Sequence, residues 1–201
     1  ALAEAMNMAK SPPAVFLSAS ATGFYGDRPG ERLTEESARG EGFLPDVCEA
    51  WEQAAQIAPK KTRIVNFRSG LVVGRGGAFT PLIPLTQLGL ASRIGTGGQH
   101  WPWISLYDEA AAIRHLLFSD LRGPVNLAGP VPATSDRVTH ELARALHRWY
   151  PGRIPDALVH TLLRGLADEL LLPSQKVLPL RLQEDGFVFR DEKVESAIAA
   201  M

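Results

Sequence analysis

The segment Ala14-Val15-Phe16-Leu17-Ser18-Ala19-Ser20-Ala21-Thr22-Gly23-Phe24-Tyr25-Gly26 decides the fold. A short apolar run passes into small polar residues, and loop-forming glycines follow. This is the pattern of a buried strand with its carboxyl end at the serines. A second apolar run, residues 63–73, ends at Gly74-Arg75-Gly76-Gly77. A third strand opens at Gly123-Pro124 and continues through Val125-Asn126-Leu127.

Helical patterns separate these strands. Residues 44–58 read as a helix closed by Pro59, and residues 81–90 as another. Ser105-Leu106-Tyr107-Asp108 is a capping box ahead of a helix over residues 109–118. Residues 92–106 read as a hairpin or tight loop. Residues 1–9 read as the last turns of a helix stopped by Pro12-Pro13. Beyond residue 131 the chain reads as mostly helical, over residues 137–148, 155–172 and 191–201. Strand and helix alternate through about residue 127, the signature of an α/β fold with a parallel sheet covered on both faces. Three strands are few for a doubly wound sheet, so the pattern resembles the later part of one. Ala1 either follows a removed initiator methionine or lies inside a longer product.

Composition narrows the function classes. The chain has 201 residues, 21 basic and 22 acidic, for a net charge of −1. No basic excess is available to neutralise a nucleic-acid backbone. The single cysteine, Cys48, excludes an intrachain disulfide and fits a reducing cytoplasm. No apolar run reaches the ~20 residues of a membrane-spanning helix, and the first ten residues lack the pattern of a secretory signal.

Neither Gly-rich stretch carries a phosphate-binding motif. Gly74-Arg75-Gly76-Gly77-Ala78-Phe79 has phenylalanine at the sixth position of G-x-G-x-x-G, and Gly95-Thr96-Gly97-Gly98 has no helix signal behind it. Both read as tight turns. His140 and His147 are seven apart rather than four, and nothing at ligand spacing completes a metal site. Arg137, Arg144 and Arg148 read as a solvated helix face. Ser20 stands at the carboxyl edge of a strand, where open α/β sheets bind ligands. Its surroundings are not a G-x-S-x-G elbow, so its hydroxyl serves either a substrate oxygen or loop backbone. Trp101 and Trp103 either line a pocket or anchor their loop.

The run Ser18 to Asp27 resembles the extended short-chain dehydrogenase/reductase superfamily, whose members carry a Ser-rich strand end followed by Val-Tyr-Gly. Here one extra residue precedes Tyr25-Gly26. Phe67-Arg68-Ser69-Gly70-Leu71-Val72-Val73-Gly74 is similar to the superfamily's next strand, and Trp103-Ile104-Ser105-Leu106-Tyr107-Asp108 to its Phe-Ile-His-Val-x-Asp segment. The subgroup called the epimerase family, with a short C-terminal domain of its own, is the closest resemblance. It rests on Cys48-Glu49-Ala50-Trp51-Glu52, Trp101-Pro102-Trp103-Ile104 and the run from Ala167 to Pro179.

The resemblance implies a Rossmann-like sheet and NADP or NAD as cofactor. It implies that the strand carrying the pyrophosphate-binding glycine loop precedes residue 1. Residues 1–131 would be the later half of the dinucleotide-binding domain, and residues 132–201 a small substrate lobe, with residues 81–103 contributing to the pocket. Ser18, Ala19, Ser20, Arg68, Ser69, Gly70 and Leu71 would approach the cofactor. Gln99, His100, Trp103 and Lys176 would approach a small substrate, a sugar or nucleotide-sugar. A homodimer would be in keeping with the family, and neither nucleic acid nor membrane is implied.

In the superfamily a Tyr-x-x-x-Lys pair moves the proton while a serine holds the substrate oxygen. Ser20 matches the serine. The residues four beyond Tyr25, Tyr107 and Tyr150 are Pro29, Ala111 and Ile154, so the pair is absent. With Glu52 aligned to the glutamate after the pair, Leu44 and Cys48 occupy its two positions. Tyr25 is then either the substitute acid, with Arg28 the only nearby cation, or a packed loop tyrosine. Two functions follow: an NAD(P)-dependent epimerase, dehydratase or reductase, or a non-catalytic NADP(H)-binding sensor.

Overall fold

The structure is a computed structural model, and it describes residues 1–89, 93–94, 96–150, 153–154 and 172–201. The helix expected over residues 155–172 falls outside the described residues up to position 171. So does Gly95 of the second Gly-rich stretch.

Helix α1 (Leu2–Met8) leads to β1 (Val15–Ala21). A 3-10 turn at Thr22–Tyr25 and the short β2 (Arg32–Leu33) precede α2 (Phe43–Ala55). Next come β3 (Arg63–Ser69), β4 (Leu71–Val73) and α3 (Leu82–Gln87). Then follow β5 (Arg93–Ile94), β6 (His100–Trp101), β7 (Trp103–Ser105) and α4 (Leu106–Phe118). After these come β8 (Gly123–Leu127), β9 (Ala133–Thr134) and α5 (Ser135–Ala145). The described elements end with β10 (Arg153–Ile154), β11 (Lys176–Val177), α6 (Leu180–Glu184) and α7 (Val194–Ala199).

The central sheet is parallel, in the order β1-β3-β8. Val15 to Ala21 pair in register with Arg63 to Ser69, and Val65 to Ser69 with Gly123 to Leu127. This is the α/β architecture that the strand–helix alternation predicts. Val65, Val125 and Leu127 of the sheet bury against Ala112 and Leu116 of α4, with Ile104, Leu182 and Phe189. A second core joins Val73, Phe79, Trp101 and Trp103 to Val138, Leu142, Ala197 and Ile198, and so draws on both sides of residue 131.

Two expectations are corrected. Residues 63–73 are not one strand: the chain breaks at Gly70, and β4 leaves the central sheet to pair in parallel with β7. The cause is steric. A Cβ on Gly70 would stand 2.4 Å from the carbonyl oxygen of Pro102, so the two backbones can cross only at a glycine. Residues 92–106 are not a hairpin either. β6 pairs antiparallel with β9, whereas β7 pairs with β4.

The capping box forms as the sequence predicts. Ser105 Oγ accepts from the Asp108 amide at 3.1 Å, a cap worth roughly 1 kcal/mol. Asp108 goes further, accepting from the amides of Arg190 and Asp191 at 2.9 Å each and so fastening the C-terminal segment to α4. Of the arginine face read as solvated, Arg137 pairs with Glu195 of α7 at 2.6 Å.

Candidate functional site

Parallel sheets leave a crevice beyond the carboxyl ends of their strands. Here a cavity of ≈ 240 Å³ opens at that edge. Ala21, Thr22 and Gly23 at the end of β1, and Ser69, Gly70 and Leu71 at the end of β3, form its floor. Helix α2 supplies one wall with Leu44, Val47, Cys48 and Trp51. Trp101, Pro102, Pro173 and Gln175 supply the other. None of these side chains carries a formal charge, because burial pushes the Cys48 thiol up from its ordinary value and keeps it neutral.

A buried polar network lies behind the α2 wall. Glu52 takes two hydrogen bonds from Arg68, Nε to Oε1 at 2.8 Å and a terminal nitrogen to Oε2 at 2.9 Å. Ser20 Oγ donates to the same Oε1 at 2.8 Å. The other terminal nitrogen of Arg68 donates to the Tyr25 hydroxyl at 3.0 Å, and that hydroxyl donates to Asn126 Oδ1 at 2.6 Å. The guanidinium also lies 3.4 Å from the centre of the Phe24 ring, a cation–π arrangement. β1, α2, β3 and β8 are thereby tied together by side chains that satisfy one another.

The network takes in several of the sequence-predicted residues. Ser69, Gly70 and Leu71 line the cavity. Ser20 does not: it is buried and its proton is committed to Glu52. Arg68 is committed to Glu52 and Tyr25 rather than open to a cofactor. Tyr25 is 0% exposed and bonded on both sides, and burial raises its pKa. An acid-base role calls for an accessible, lowered hydroxyl; here the Tyr25 hydroxyl is held between Arg68 and Asn126. The cation beside it is Arg68. Arg28 instead pairs with Glu31 at 2.6 Å.

Ser18 and Ala19 border a different groove, with Leu2, Phe16 and Ile57, beside the edge of β1. Trp103 is buried, its indole donating to the Val131 carbonyl at 3.0 Å. The cavity tryptophans are Trp101 and Trp51. Gln99 is buried and donates to the Ile94 carbonyl. His100 and Lys176 stand outside the cavity lining. Burial and the charge of Lys176 both lower the His100 pKa.

Two lining residues were missed. Thr22 is 5% exposed, lines the cavity, and makes no side-chain hydrogen bond among the described residues. Gln175 donates from Nε2 to the Gly26 carbonyl at 2.8 Å, and its Oε1 has no partner among the described residues. The Ser-Ala-Ser-Ala-Thr run carried the signal for Thr22, two residues beyond the serine selected. Gln175 had none, since only the fold brings it beside β1.

Leu44 and Cys48, the positions where the Tyr and Lys of the superfamily would stand, both line the cavity. The human epimerase family protein SDR39U1 is 31% identical over 200 residues, covering 98% of this chain and 68% of the human protein. The chain belongs to the epimerase family. An epimerase family protein of Mycobacterium bovis is 36% identical over 188 residues, and the chain spans 62% of that relative's length. The crystal structure of human SDR39U1 (isoform 2) with NADPH superposes with a TM-score of 0.92 at 30% identity, over 99% of this chain and 68% of that one. Residues 154–201 match a family profile described as a domain of unknown function, DUF1731. Among the described residues of this epimerase family chain, no helix is long and apolar enough to cross a membrane.

Proposed function

We propose that the protein binds NADP(H), that the cavity at the ends of β1 and β3 receives the nicotinamide end, and that it does so without tyrosine-type acid-base catalysis. The observation that carries this reading is the pair Leu44 and Cys48 on the cavity wall. The cavity suits a nicotinamide ring, because its walls are apolar and aromatic. The human relative crystallised with NADPH supports the choice of cofactor.

When bound, NADP(H) supplies a hydride donor or acceptor. This chain's residues bind and orient. The backbone of Ser69, Gly70 and Leu71 forms the floor. Trp51 and Trp101 exclude water from opposite sides. The Glu52–Arg68 pair fixes α2 against β1 and β3, holding Leu44 and Cys48 at the cavity. The Leu44 side chain has no titratable group, and the Cys48 thiol is held neutral, so neither reproduces the tyrosine–lysine pair.

A second reading, an NAD(P)-dependent oxidoreductase acting on a sugar or nucleotide-sugar, is favoured by one feature: the wall of Trp101, Pro102, Pro173 and Gln175 encloses space opposite α2. Parallel fluorescence titrations of NADPH and NADH test cofactor binding. Following NADPH oxidation with UDP-sugars and simple ketones separates the two readings. Saturable NADPH binding without turnover supports the first. Turnover supports the second, and absence of nicotinamide nucleotide binding would sink both.

A further inference from the structure

Among the described residues lining the cavity, the Thr22 hydroxyl and the Gln175 side-chain amide keep hydrogen-bonding capacity. Ser69 also borders it, but its hydroxyl donates to Glu109 at 2.5 Å. With no side-chain partner among the described residues, the Thr22 hydroxyl keeps both its donor and its acceptor capacity for a ligand. Gln175 is fixed by its bond to the Gly26 carbonyl and by its own amide, which donates to the His100 carbonyl at 2.9 Å. It offers Oε1 as an acceptor and the second Nε2 hydrogen as a donor.

The rest of the lining defines what such a ligand must be. Arginine or lysine is the usual partner of a nucleoside diphosphate's phosphates. Among the described residues that line the cavity, none is cationic. The volume of ≈ 240 Å³ lies below the range of about 300–1,000 Å³ typical of drug-sized ligand pockets. Apolar walls strengthen a hydrogen bond to a neutral oxygen and penalise an unpaired charge.

We propose that the cavity takes, as its second ligand, a small uncharged and mainly apolar molecule with one hydrogen-bonding oxygen, held by Thr22 and Gln175, rather than a nucleotide-sugar. The inference rests on the reading of this cavity as the nicotinamide-side cleft, and it names the ligand class that shares the cleft with the ring. It assigns to Thr22 the oxygen-holding role that the serine motif suggests for Ser20.

The test uses cyclohexanone and UDP-glucose as separate probes of the chain, read by the indole signal of Trp101 in two-dimensional nitrogen–proton NMR. Cyclohexanone is expected to shift that signal saturably, and Thr22→Val to weaken its binding about five- to tenfold, as loss of one buried hydrogen bond does. The variant is isosteric and removes no hydrogen bond of the fold. UDP-glucose is expected to leave the signal unmoved. The proposal is overturned if UDP-glucose shifts Trp101, if cyclohexanone does not, or if Thr22→Val binds cyclohexanone as tightly as the parent chain. Cyclohexanone binding with Thr22 dependence, alongside failure to bind NADPH, would uphold this inference and sink the cofactor reading alone.

Discussion

Glu52 and Arg68 meet in a two-point ion pair directly behind the cavity wall, one on α2 and the other on β3, with the Arg68 side chain 4% exposed. Removing one partner strands the other charge in a medium that cannot solvate it. Glu52→Ala is therefore expected to lower the unfolding free energy by about 3–5 kcal/mol, read from urea denaturation. A loss below about 1 kcal/mol would mean that the pair is solvated in solution.

Tyr25→Phe separates a structural tyrosine from a catalytic one. Deleting the hydroxyl leaves Asn126 Oδ1 without its donor and one Arg68 N–H without its acceptor. The expected cost is about 1–3 kcal/mol of stability, with NADPH affinity unchanged. Unchanged stability together with altered nucleotide affinity would restore Tyr25 to the site.

Gly70→Ala places a methyl group 2.4 Å from the Pro102 carbonyl oxygen, whereas a Cβ at Gly76 meets nothing within 4 Å. The first substitution is expected to destabilise by about 1–3 kcal/mol and to distort the cavity floor. Gly76→Ala is expected to be nearly neutral. Denaturant midpoints compare the two directly, and equal effects would contradict the steric account of the break between β3 and β4.

Glu109 gives a pH-dependent prediction. Burial raises its pKa above the usual 4.5, against the opposing hydrogen bond from Ser69, and its Oε2 is buried without a partner. A carboxyl with a raised folded pKa retains its proton more readily when folded. Its stabilising contribution is thus complete below about pH 4.5 and is lost as pH rises through the folded value. Glu109→Gln, neutral at every pH and still able to accept from Ser69, is expected to be more stable than the parent at pH 7–8. The advantage should disappear near pH 4. Thermal unfolding across that range checks it, and a pH-independent difference would refute it.

Local chemistry made the helix caps and strands readable. Ser105 and Asp108 lie three residues apart, so their reciprocal bonding is a property of the segment itself. The apolar runs around Phe16, Val65 and Val125 likewise announce buried strands before any tertiary contact is known. What escaped depends on distant residues. The break at Gly70 exists because Pro102 passes beside it. Tyr25 is governed by Arg68, 43 positions away, rather than by nearby Arg28. Ser20 was legible as a hydroxyl at a strand end. Its turn toward Glu52, which leaves Thr22 to line the cavity, follows from the packing of α2.

The proposed role of the cavity between α2 and Trp101 is to receive the nicotinamide end of the cofactor. Reduced nicotinamide mononucleotide carries that end without the adenosine half, so it probes this part of the protein directly. Titrated into the chain and followed by nitrogen–proton NMR, it should move the indole signals of Trp51 and Trp101 and the backbone amides of Gly70 and Leu71. The signal of Trp149, 78% exposed and outside the cavity lining, should stay in place. Shifts centred instead on the hollow around Arg114, His115 and Asp185, or no saturable shift at Trp101, would contradict it.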